Sequence, residues 1–243
     1  MIKEKLINKI NELSTEMRIY NEQRLKRHLI EIDHEEYVTN LINSQKSMLE
    51  KYHALYDQLK PYSSKFNYFD YGECILIVEI RNVVHHSLYP LKNWLESMTL
   101  HDKYKKYNGA EFLLANYEGY DVRERPSLVQ IYFNYEDLIT YNQEKKNQRQ
   151  NNIPKYESDL SFKKIKEAVD KERYPYKQVY INIMPIILNA LKKIYSFTLN
   201  EFEIAPNDLN YDGKVYFNML TGENSIEIFL DRPIYKKQRI IIG

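Results

Sequence analysis

A single cysteine, Cys74, stands in a chain of 243 residues. Without a second thiol there is no internal disulfide framework and no multi-cysteine zinc site, and a lone cysteine suits a reducing compartment. Charge of one sign is equally scarce. The formal balance is +1, which excludes the broad basic field of a protein that coats nucleic acid. Any contact with RNA therefore has to come from a local patch. Long hydrophobic runs are missing as well: the densest stretches, Ile75–Ile80 and Ile181–Leu191, are too short and too interrupted to span a bilayer. The opening MIKEKLINKINELS mixes charged and apolar residues and lacks the unbroken apolar centre of a secretory signal. A cytoplasmic protein with no membrane partner is the expectation. There is no phosphate-cradling glycine loop, nucleophile elbow or zinc-protease helix, and no internal repeat or low-complexity linker.

What is present is ordinary globular composition, 43% hydrophobic and 28% charged, in a chain long enough for one large domain or one domain with a small appendage. The 23 tyrosines suggest base stacking, yet tyrosine is also a normal core and interface residue and carries no functional argument by itself. Ile2, Leu6, Ile10, Leu13, Met17 and Tyr20 recur at three- and four-residue steps, the mark of one buried helical stripe. Tyr37, Leu41, Ser44, Met48, Tyr52, Leu55 and Leu59 repeat the pattern after a break near Ile32-Asp33-His34. Asp33 is placed to cap this second helix and Pro61 to end it, so the two helices read as an antiparallel hairpin. A third helix is expected from about Tyr68 to Leu88. Its apolar residues nearly encircle it, which puts it at the centre of a bundle.

The middle and end of the chain are less regular. Short-helix character over Lys92–Leu100 gives way to a polar loop over Lys103–Gly109. Strand character follows at Glu111–Tyr117 and Leu128–Phe133. Residues 143–154, QEKKNQRQNNIP, read as an exposed basic loop. Helices are expected over Phe162–Asp170 and Tyr176–Phe197, with Pro185 kinking the second or lying near its start. Lys214–Leu220 and Ser225–Leu230, joined by Thr221-Gly222-Glu223-Asn224, read as a β-hairpin. The expected fold is therefore mainly α, with a helical domain over residues 1–200, an irregular insertion at about 101–158, and a C-terminal β-hairpin appendage over 201–243.

The central helix carries Glu79, Arg81, Asn82, His85 and His86, charged and polar groups that need partners or a cavity in such a place. Histidine titrates near neutrality and suits proton transfer. Arginine keeps its charge and presents a fork that matches phosphate oxygens, and Asn82 can hold geometry without adding charge. RNA cleaves itself when a 2′-hydroxyl attacks the neighbouring phosphate, so such a site needs no protein nucleophile and no metal. At about 100° per residue, Arg81 and His85 lie roughly 40° apart on the helix, whereas Arg81 and His86 lie about 140° apart. Arg81 and His86 of one helix are poorly placed to grip one phosphate alone. A purely structural alternative is an ion-pair and histidine network that fixes helix packing.

Arg81-Asn82-Val83-Val84-His85-His86, an Arg-Asn-x-x-x-His run, resembles the signature of HEPN (higher eukaryotes and prokaryotes nucleotide-binding) ribonuclease domains, in which Arg-x(4–6)-His sits on an inner helix of a bundle. The close match spans about residues 75–90. The resemblance implies a HEPN-like bundle and a metal-independent endoribonuclease without cofactors. It also implies a homodimer that combines two motifs in one cleft, and work as a toxin or phage-defence effector with an antitoxin or defence-system partner. Its spacing favours His86 over His85 as the catalytic histidine, with Arg81 and Asn82 beside it and Glu79 and His85 in support. Tyr89 stands three residues after His86, not the two of HEPN proteins whose tyrosine is modified. Lys103, Lys105 and Lys106, and separately Lys145, Lys146 and Arg149, can meet RNA phosphates as point charges, although solvated loops explain both runs. His28 and His53 read as solvated or capping histidines. His34 and Glu36 lack a metal-ligand set. The rival function is a non-catalytic HEPN-like helical module that binds a nucleotide or a partner protein.

Overall fold

The computed structural model describes residues 2–26, 32–86, 111–117, 131–145, 152–220 and 228–232. They form a mainly helical protein with a small sheet. Helices α1 (Ile2–Leu25) and α2 (His34–Leu59) pack along their lengths. Each buries the stripe its spacing announces: Leu6, Ile10, Leu13, Met17 and Tyr20 on α1, and Tyr37 through Leu59 at the expected positions on α2. Asp33 caps α2, its carboxylate accepting from the Glu36 amide at 2.8 Å, and Pro61 sits in the 3-10 turn that closes the helix. Helix α3 (Gly72–His86) is buried on every side from Gly72 to Ile80. It touches α2 on one side, and α5 (Ile153–Asp159) and α7 (Met184–Phe202) on others. An all-round apolar helix has no polar face to give to water and must take the middle position.

Four strands make a mixed sheet in the order β2-β3-β1-β4, from β1 (Leu113–Tyr117), β2 (Tyr132–Asn134), β3 (Val179–Asn182) and β4 (Ile228–Asp231). The β1–β3 pair is parallel and the two outer pairs are antiparallel. Helices α4 (Tyr135–Lys145), α5 and α6 (Phe162–Glu172) fill the connection between β2 and β3. β1 falls inside the expected strand, and β2 overlaps the end of the second one.

Three expectations are corrected. Residues 143–154 are not simply a loop: 143–145 complete α4, and Ile153 and Pro154 open α5, where proline costs nothing because the first-turn amides have no helical partner. The helix expected from Tyr176 divides into a 3-10 turn, strand β3, and α7 with Pro185 in its first turn. The C-terminal hairpin does not form. Tyr211–Leu220 is helix α8, packed on α1 and α7, and β4 pairs with β1 instead. Tyr216 of α8 is buried, and its hydroxyl accepts from Asn21 of α1 at 2.7 Å. The expected helix at 92–100 and loop at 103–109 lie outside the described residues. No helix among the described residues is long and apolar enough to cross a membrane.

Candidate active site

The short link between α2 and α3 turns the chain back on itself, so the C-terminal half of α3 runs beside the middle of α2. Arg81, one residue past the fully buried stretch, reaches across to Glu50. Its Nη2 donates to Glu50 Oε2 at 2.8 Å, and its Nη1 donates to Asn82 Oδ1 at 3.2 Å. One turn further on, His85 lies on the same face of the helix, as i and i+4 residues do. Its Nδ1 stands 2.7 Å from Glu50 Oε1. A single carboxylate thus gathers the guanidinium and the imidazole, one on each oxygen. The side chains grade from sheltered to open, Arg81 at 14% exposure and His85 at 50%. The cluster therefore lies at an edge that solvent reaches.

Burial by itself raises the Glu50 carboxyl, but hydrogen bonding to Arg81 and the charges of Arg81, His85 and His53 outweigh it and hold Glu50 below its ordinary value. It is an ionised acceptor at neutral pH. His53, one turn along α2 from Glu50, completes the group. Its imidazole is held below the ordinary histidine value, by burial first and by the Arg81 charge second, against the opposing pull of Asp57 and Glu50. Two polar atoms here, His53 Nδ1 and Arg81 Nε, are buried with no hydrogen-bond partner among the described residues. Such atoms cost free energy unless something arrives to satisfy them.

The lowered His53 value fixes a sign. The unfolded chain holds this proton more tightly than the folded one. The stability from neutral His53 is therefore complete above about pH 6.5 and declines as pH falls through 6.5 toward the lowered folded value. The urea midpoint is expected to drop between about pH 7 and pH 5.5, and His53→Gln should flatten that part of the profile. An unchanged slope in the variant would show that the titration belongs elsewhere.

Glu79 does not join Arg81. Its carboxylate accepts from Asn152 Nδ2 at 2.7 Å and from the Tyr156 hydroxyl, so it ties α3 to α5 on another side of the helix. His86 is the last residue of α3, two positions beyond the packed Val84. Lys145 ends α4, while Lys103, Lys105, Lys106, Lys146 and Arg149 lie outside the described residues. Glu50 is the residue that sequence reasoning missed, and His53, read there as solvated or capping, is instead largely buried beside it. The available signal was their i, i+3 placement on α2, which puts both on one face of a helix paired with the motif helix.

Among the described residues no three His, Cys, Asp or Glu side chains are grouped as a metal site requires. Cys74 is no candidate nucleophile: burial pushes its thiol up to about 12, and the thiolate is the reactive form. The cluster instead offers a fixed cation, an imidazole with one nitrogen turned to a carboxylate, and a neutral amide, a set able to hold an anion and move a proton. No family model, curated protein or solved structure matches the chain.

Proposed function

We propose that the protein is a HEPN-type endoribonuclease acting without a metal, in which Arg81, Asn82 and His86 perform the chemistry and His85 and Glu50 position it. The observation that carries this reading is the convergence of Arg81 and His85 on Glu50 at the open end of the most buried helix, with His86 next in line. Cleavage requires a proton removed from the RNA 2′-oxygen, a proton delivered to the departing 5′-oxygen, and stabilisation of the charge that builds on the phosphate. A guanidinium fork supplies the last of these, and histidines supply the proton transfers. Glu50 facing Nδ1 of His85 holds that ring's orientation, the usual service of a carboxylate behind an imidazole. The phosphate takes over Glu50's place on the guanidinium when RNA binds. Because Arg81 and His86 diverge on one helix, the complete site is assembled from two protomers. A role as a toxin or phage-defence effector, with an antitoxin or other defence-system partner, follows from the HEPN resemblance alone.

The rival reading, a non-catalytic module for a nucleotide or a partner protein, draws support from the same Glu50–Arg81 pair, since an ion pair of this kind also pins two helices together. Incubating purified protein with RNA in the presence of a chelator separates the two. Fragments ending in cyclic or 3′-phosphate are expected. Retention of RNA without cutting would favour the module.

A further inference from the structure

Glu50 holds its two neighbours by different oxygens. Oε2 accepts from Arg81 Nη2 at 2.8 Å, and Oε1 stands 2.7 Å from Nδ1 of His85. A carboxylate and a phosphodiester offer a guanidinium the same thing, a pair of oxygens sharing one negative charge. The rest of the guanidinium is turned elsewhere. Nε is buried, Nη1 donates to Asn82 Oδ1, and Nη2 is the nitrogen that Glu50 covers. Glu50 is itself open to solvent on one side, its side chain 38% exposed. Its hold on Arg81 can be exchanged without opening the core.

We propose that Glu50 is a resident competitor for the scissile phosphate. It occupies Arg81 in the free protein, gives way when RNA binds, and reclaims the guanidinium as the phosphate-ended product leaves. This rests on the ribonuclease reading for the identity of the strand. Only Oε2 takes part in the exchange. Oε1 keeps His85 throughout, so the same carboxylate opposes binding and supports turnover. A carboxylate that merely pins α2 to α3 does neither.

Glu50→Gln separates the two effects, because glutamine keeps the shape and one acceptor oxygen while removing the charge. Fluorescence anisotropy with a single-stranded RNA carrying 2′-O-methyl groups throughout, which has no free 2′-hydroxyl to attack, reads binding alone. The variant is expected to bind that strand about fivefold more tightly, the scale of one ion pair at an edge that solvent reaches. A short strand ending in a 3′-phosphate should gain by about the same factor. On ordinary RNA, KM and kcat should both fall, a split between binding and turnover. Two controls separate exchange at Arg81 from a general loss of negative charge. In an Arg81→Ala background, Glu50→Gln should make no difference, as a double-mutant cycle requires of an effect carried by that guanidinium. Asp57→Asn removes a more exposed carboxylate, 55% open, from the same helix, and should leave affinity within about twofold. Equal or weaker binding by Glu50→Gln, a gain that survives Arg81→Ala, or one matched by Asp57→Asn would overturn the proposal. Tighter binding by Glu50→Gln with ordinary RNA left whole by every form would uphold the exchange and sink the ribonuclease reading. Cutting by the normal chain with no gain in Glu50→Gln would do the reverse.

Discussion

Arg81→Ala and His86→Ala proteins are expected to fold and to lose RNA cleavage. In the proposed mechanism the guanidinium meets charge developing on the phosphate, an interaction worth about 100- to 1,000-fold in rate in comparable sites. Removing a histidine that transfers a proton costs about 100- to 10,000-fold. Stability should change little, because the Glu50–Arg81 pair lies at an edge where solvent reaches it, and pairs of that kind contribute about 1 kcal/mol or less. The contrast between lost activity and a retained unfolding midpoint distinguishes catalysis from helix pinning. If the pair serves only to pin α2 to α3, the ranking reverses: Arg81→Ala lowers the midpoint and RNA is untouched in every form. His85→Ala should fall between these limits, reducing cleavage less than His86→Ala, since the proposed role of His85 is to hold the site in order.

Mixed dimers are expected to show the second large effect. Co-expression of a normal chain with an Arg81→Ala/His86→Ala chain, each carrying its own tag, yields heterodimers with one intact motif. A cleft that draws its cation from one copy and its imidazole from the other is incomplete in such a dimer. Activity per normal subunit should therefore fall by at least about tenfold, on the scale set by loss of a general acid or base. Full activity per normal subunit would mean that one chain carries a whole site, and the helical divergence of Arg81 from His86 would need another resolution.

The parts of the fold that were legible in the sequence are those in which one physical rule acts alone. On α1 and α2 the 3.6-residue period decides which side chains meet the core, and every expected stripe residue from Leu6 to Tyr20 and from Tyr37 to Leu59 is buried. The central place of α3 follows from its nearly unbroken apolar surface. Strand β3 was illegible because Val179–Asn182 is buried on both faces. A strand without polar alternation merges with the apolar start of α7, and only Pro185 marks the boundary between them. Helix α8 misled for a related reason. Gly213 and the run Val215-Tyr216-Phe217 suggest a strand, yet the glycine serves a close approach. A Cβ there would come within 2.8 Å of Asn11 Oδ1 on α1, and its amide donates to Asn210 Oδ1 at 2.7 Å.

The site was legible along one helix and illegible across two. Arg81, Asn82, His85 and His86 stand out because polar residues on an apolar helix violate the local pattern. Glu50 violates nothing on α2, whose outer positions are ordinarily charged, and only the packing of α2 on α3 brings it to Arg81. Glu79 shows the converse. It is as conspicuous in the sequence as Arg81, but a step of two residues points it to another side of the helix, where Asn152 and Tyr156 hold it.

At the centre of the account is RNA's own 2′-hydroxyl acting as nucleophile between groups of this cluster. The most direct test is to give the purified protein, in chelator, an ordinary RNA and the same strand carrying 2′-O-methyl groups throughout. The ordinary strand should be cut and the methylated strand should remain whole while still competing for binding. Cleavage of the methylated strand, or an ordinary strand left intact, would contradict the account.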